Sequence, residues 1–123
     1  MLLENKEIQF ITNQDDSTVY ETLKGLFANC KSFCLSVAFI SFSGYQLLID
    51  TLTEMEEKGI KGKVLTSDYL GFTDPVSINR LHQFKNIQLK MYQVNQKTAG
   101  FHSKGYIFEY DDCYKILIGS ANI

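Results

Sequence analysis

No apolar run in this sequence approaches the length of a membrane span, and no charged-then-apolar leader opens it. A soluble, cytoplasmic protein without a membrane partner is therefore expected. The three cysteines, Cys30, Cys34 and Cys113, are an odd set and lack a tight Cys-x-x-Cys spacing. Only two histidines are present, His82 and His102. A zinc site is not expected from that inventory, and the cysteines read as reduced, partly buried thiols. Internal repeats and low-complexity segments are also missing. What is there is an ordinary globular composition. Hydrophobic residues make up 45% of 123 residues, which argues against disorder and is enough for one domain but not two.

The net charge is −2, so the chain is no polycation. Its distribution is uneven. Residues 1–79 carry six lysines against eleven acids, net −5, and residues 80–123 carry six basic residues against three acids, net +3. The positive excess suits a polyanion ligand without requiring one.

Along the chain, Ile8-Gln9-Phe10-Ile11 reads as an edge strand or an extended arm. Thr18 with Glu21 fits a capping box, and Val19, Leu23, Leu26, Phe27 and Cys30 share one helical face, so a helix over about 18–29 is predicted. Residues 32–40 are apolar on both faces and read as a central, fully buried strand. Ser41 or Ser43 caps the next helix, marked by Tyr45, Leu48, Leu52 and Met55, with a stop at Lys58-Gly59. A short strand follows at 63–66, then a loop over 67–73 with an exposed Tyr69-Leu70. Asp74-Pro75 opens a helix carrying Ile78, Leu81 and Phe84. Ile87, Leu89 and Met91 alternate with polar neighbours, as in a half-buried strand. Two last strands, 101–110 and 113–120, form a hairpin with a turn at Asp111-Asp112. The fold class is α/β, a mixed β-sheet flanked by helices and ending in a hairpin. Residues 1–31 form an arm and first helix, and residues 32–123 form the α/β domain.

The chemistry gathers on that hairpin: Phe101-His102-Ser103-Lys104-Gly105, then Gly119-Ser120-Ala121-Asn122. An imidazole can attack phosphorus, an ammonium can hold phosphate oxygens, and a hydroxyl and an amide can hydrogen-bond to either. His102 and Lys104, two apart on a strand, project to one face, as do Ser120 and Asn122. A two-residue turn would set Lys104 opposite Gly119. One further residue, in the turn or as a bulge, sets Lys104 opposite Ser120 and His102 opposite Asn122, so that all four groups converge. The second register is predicted.

This pattern resembles the HKD motif of the phospholipase D superfamily: His-x-Lys, four residues, an Asp, and a downstream Gly-Ser-x-Asn. The match is to His102, Lys104, Gly119, Ser120 and Asn122. Glu109 stands where the family usually has Asp and, five residues after Lys104, projects to the other face, so a structural role near the site is expected for it. With the segment Leu65 to Pro75, the motif also looks like phospholipase-D-like domains at the front of some bacterial helicase-like proteins and in some restriction endonucleases.

The resemblance implies a phospholipase D-like fold and a metal-independent phosphodiesterase without a cofactor, a nuclease in which His102 is the nucleophile. Lys104 and Asn122 would bind the phosphate, with Ser120 completing the catalytic set. It further implies a second histidine, from a homodimer partner or a second HKD half, because His82 reads as a surface or packing residue. DNA, more than RNA, is the implied substrate, with a helicase domain in the same full-length protein and this chain a fragment of it. The competing expectation is a non-catalytic nucleic-acid-binding or dimerisation module with a vestigial HKD site. Tyr69, Phe72, Tyr92 and Phe101 could stack on bases but read as core, and Lys90, Lys97 and Lys115 are candidates for a phosphate track.

Overall fold

Helix α1 (Asp16–Phe27) leads into strand β1 (Ser32–Ser36) through Asn29, whose φ of 65° ends the helix in the left-handed conformation that asparagine tolerates. The computed structural model describes residues 16–68, 73–93, 104–119 and 123. The predicted arm at 8–11 lies outside them. The helix begins at Asp16, two residues before the predicted start at 18.

Helix α2 (Phe42–Glu57) is capped by Ser41, whose Oγ accepts from the Gly44 N–H at 3.0 Å. It stops as expected at Lys58-Gly59. Gly59 has φ +70°, its N–H donates to the Glu56 carbonyl, and the Ile60 N–H donates to the Met55 carbonyl. That paired closure needs a left-handed residue, which glycine supplies at least cost. Strand β2 (Lys61–Ser67), helix α3 (Pro75–Gln83) and strand β3 (Ile87–Tyr92) follow. Asp74 caps α3 and Pro75 opens it, as the dipeptide predicted. Strands β4 (Lys104–Glu109) and β5 (Tyr114–Gly119) form the closing hairpin.

Among the described residues the sheet is five-stranded and mixed, in the order β3-β2-β1-β4-β5. Strands β1, β2 and β3 are parallel, while β4 is antiparallel to β1 and to β5. The fold is therefore α/β, with α2 and α3 as the crossovers between parallel strands.

The helices described all pack on one face of the sheet. Phe27 of α1 meets the rings of Phe33 and Phe108 edge-on, at 5.1 and 4.9 Å between centroids. Leu48 and Leu52 of α2 and Leu81 of α3 join Leu35 and Val64 in the same core. Helix α1 is thus part of one continuous core with the sheet. Gly62 pairs with Phe33 on this face, where an added Cβ would lie 2.1 Å from the Phe33 ring.

The opposite face carries Cys34, Leu65, Ile107, Ile116 and Ile118 beside Lys61, Lys63 and Lys90, by register. Ile116 is 61% and Ile118 78% exposed. This corrects the expectation that the β1 segment is buried on both faces. Phe33 and Leu35 are buried, whereas Cys34 and Ser36 are only half-buried. The regular strand also ends at Ser36, and Val37, Ala38 and Ile40 are buried beyond it. A clasp of hydrogen bonds ties that segment to the end of β2. Ser67 Oγ donates to the Ala38 carbonyl at 2.6 Å, Thr73 Oγ1 donates to the Ser67 carbonyl at 2.6 Å, and the Ile40 N–H donates to Thr73 Oγ1 at 3.3 Å.

Candidate functional site

The ladder between β4 and β5 runs Lys104↔Gly119, Tyr106↔Leu117, Phe108↔Lys115 and Glu109↔Tyr114. The connecting turn is the two-residue Asp111-Asp112, closed by the Tyr110 N–H donating to the Cys113 carbonyl at 2.8 Å. This overturns the predicted register. No extra residue enters the hairpin, so Lys104 stands opposite Gly119 and not Ser120. The tight turn wins because Asp111 and Asp112 alone bridge the strands, leaving no bulge in the ladder. His102, Ser120 and Asn122 lie outside the described residues, and the ladder ends at Gly119. Strand alternation therefore no longer carries the argument that their side chains converge.

What is described places the flanks of the motif together. Strand β4 begins and β5 ends at the edge of the sheet where the parallel strands β1, β2 and β3 end, since β4 runs antiparallel to β1. Ligands of open α/β sheets bind outside that edge. Lys104 is half-buried and lies on the helix-covered face with Tyr106 and Phe108. Burial pushes the Tyr106 phenol well above its ordinary value, with the neighbouring Tyr20 adding to the shift. Tyr106 is thus a neutral wall beneath Lys104.

The other flank is Ile123. It is buried, and its carbonyl accepts from the Ser41 N–H at 2.8 Å. Ile123, the residue that follows the Gly-Ser-x-Asn run, is thereby anchored to the start of α2. That helix has no acidic residue in its first turn, so no carboxylate of its own offsets its positive dipole end at the same edge. Gly44 makes the anchorage possible, because an added Cβ would lie 2.1 Å from the Ile123 carbonyl carbon. Sequence reasoning missed Gly44. Its signal was a glycine in the first turn of an otherwise regular helical pattern.

Glu109 is at the far end of β4, five residues or roughly 17 Å from Lys104 along the strand. Its expected structural role fits the contacts, but its expected place near the site does not. Ser32 Oγ donates to its Oε1 at 3.3 Å and the Tyr114 hydroxyl to its Oε2 at 2.9 Å. It joins β1, β4 and β5 across the sheet. The hydrogen bond and the negative charge of Glu109 raise the Tyr114 pKa.

Lys90 and Lys115 of the candidate lysine track do not lie together. Lys115 lies near that far end, its ammonium 5.0 Å from the centre of the Tyr110 ring, and Lys90 is on the open face opposite Leu65. Tyr92 is exposed at the end of β3, so it is not a core residue. Lys97, Tyr69, Phe72 and Phe101 lie outside the described residues. His82 lies on α3 and lines a surface cavity with Asp68 and Asn79. Among the described residues, no group of three or more His, Cys, Asp or Glu is placed to hold a metal ion. No described helix is long and apolar enough to cross a membrane.

No protein-family model and no curated protein matches the chain.

Proposed function

We propose that this chain is a metal-independent phosphodiesterase, a nuclease domain of a larger helicase-like or restriction protein with DNA as its substrate. The observation that supports it is the gathering of Lys104, Gly119, the Ile123 anchorage and the α2 N-terminus at the ligand-binding edge of the sheet. In this reading the His102 imidazole attacks phosphorus, an N–P bond forms and the P–O bond to the leaving group breaks. A second histidine, from a homodimer partner or a second HKD half, protonates the leaving oxygen. It then takes a proton from water, which attacks phosphorus, breaks the N–P bond and frees His102. Lys104 and Asn122 hold the non-bridging oxygens where charge builds up, and Ser120 completes the hydrogen-bonding set.

One observation favours a second reading, a nucleic-acid-binding or dimerisation module with a vestigial site. The Lys104↔Gly119 register removes the simplest way of turning Ser120 and Asn122 toward His102. Incubating the chain with single- and double-stranded DNA in EDTA, beside His102→Ala, separates the two. Cleavage that survives the chelator and is lost in the variant supports the enzyme. Retained DNA affinity without cleavage, from a chain shown by light scattering to be a dimer, supports the module.

A further inference from the structure

We infer that the cavity between α3 and β3 is a nucleobase pocket, which takes an unstacked base of a single strand whose phosphodiester lies at Lys104. The cavity has a volume of about 430 Å³, within the range of small-ligand sites. It lies at the C-terminal ends of β2 and β3, on the same edge and the same face of the sheet as Lys104. The inference rests on the phosphodiesterase reading for the polymer that carries the base, and not for the pocket itself.

The lining has two characters. Ile78, Leu89 and Met91 offer apolar surface, and the polarisable thioether of Met91 suits contact with a flat aromatic ring. Asp68, Asn79 and His82 supply the polar groups. Ile78, Asn79 and His82 fall on one side of α3 by spacing, which aims them together toward β3. The Asp68 carboxylate opposes a phosphate here but accepts hydrogen bonds from ring N–H and exocyclic amino groups. The Asn79 amide both donates and accepts, as base edges require. A neutral heterocycle with N–H donors therefore fits better than an anion. Strand β3 lies three inter-strand spacings from β4, roughly 14 Å, a span that a few nucleotides of single strand bridge.

The test needs no catalytic activity. Deoxyguanosine and deoxycytidine are titrated into the 15N-labelled chain, with deoxyribose 5-phosphate as the base-free probe, and amide shifts are followed. Nucleosides are expected to shift Asn79, His82 and Met91 saturably, and the sugar phosphate is not. Asn79→Ala, an exposed helical position that tolerates alanine, is expected to weaken nucleoside binding about tenfold, as loss of one paired contact would. Pocket amides that do not respond, that respond equally to the sugar phosphate, or that respond equally in the variant overturn the inference. Cleavage in EDTA, scored separately, decides the phosphodiesterase reading whatever the titration shows.

Discussion

The main chain of Ile123 occupies the space that a side chain on residue 44 would need. A Cβ there would stand 2.1 Å from the Ile123 carbonyl carbon and 3.0 Å from its oxygen. No side chain at position 44 can yield to relieve this, because the obstacle is backbone. Gly44→Ala is expected to displace Ile123, break its bond to the Ser41 N–H and cost about 1–3 kcal/mol, as overpacking does. On the proposed function it also lowers cleavage by disturbing Ser120 and Asn122. Urea denaturation and the EDTA cleavage assay check the two parts. Gly25→Ala, where an added Cβ meets nothing within 4 Å, is the control and is expected to stabilise by about 0.5–1 kcal/mol. Equal stability of both variants would refute the steric account.

The cap of α3 is expected to make stability depend on pH at the acid end. Asp74 Oδ2 accepts from Ser77 Oγ at 2.6 Å and from the Ser77 N–H at 2.9 Å. These bonds, the hydroxyl first, hold its carboxyl below its ordinary value. The contribution is complete above the pKa of the unfolded carboxylate and is lost as pH falls through the lower folded value. Asp74→Ala is expected to destabilise at neutral pH and to show a shallower loss of stability on acidification. Urea midpoints near pH 7 and near pH 3 measure this. Parallel acid limbs for the two proteins would rule it out.

Lys104 and Lys115 differ in place, and so should differ in effect. Lys104→Ala is expected to weaken DNA affinity and to reduce the slope of log affinity against log salt by about one. Lys115→Ala, near the other end of the hairpin beside Tyr110, is expected to leave both unchanged. Fluorescence anisotropy over a salt series is the measurement. Equal losses from the two variants would mean diffuse electrostatic binding and no phosphate site at Lys104.

Glu109→Gln tests whether this residue acts at the strand end alone. Removing its charge is expected to bring the Tyr114 pKa down toward its ordinary value, followed by NMR titration of labelled tyrosine. Cleavage in EDTA is expected to persist. Abolished cleavage in a folded variant would return Glu109 to the catalytic machinery.

Much of the fold was legible because its signals are local. Ser41, Asp74-Pro75 and Lys58-Gly59 mark helix ends through bonds made within a few residues, and all three stand where expected. The α/β class followed from strands alternating with helical periodicity. Tyr92 was misread because an aromatic residue at a strand end carries no sign of whether a helix covers it.

By itself, the sequence determined the elements, most of their caps and the presence of the His-x-Lys and Gly-Ser-x-Asn runs, since each depends on neighbours a few residues away. Only the tertiary structure decided the hairpin register, the exposure of one sheet face and the seat of Ile123 on Gly44. It alone put Asp68, Asn79 and His82 around one cavity. These are relations between segments distant along the chain. Their outcome depends on which surfaces meet, and periodicity within one segment holds no record of that.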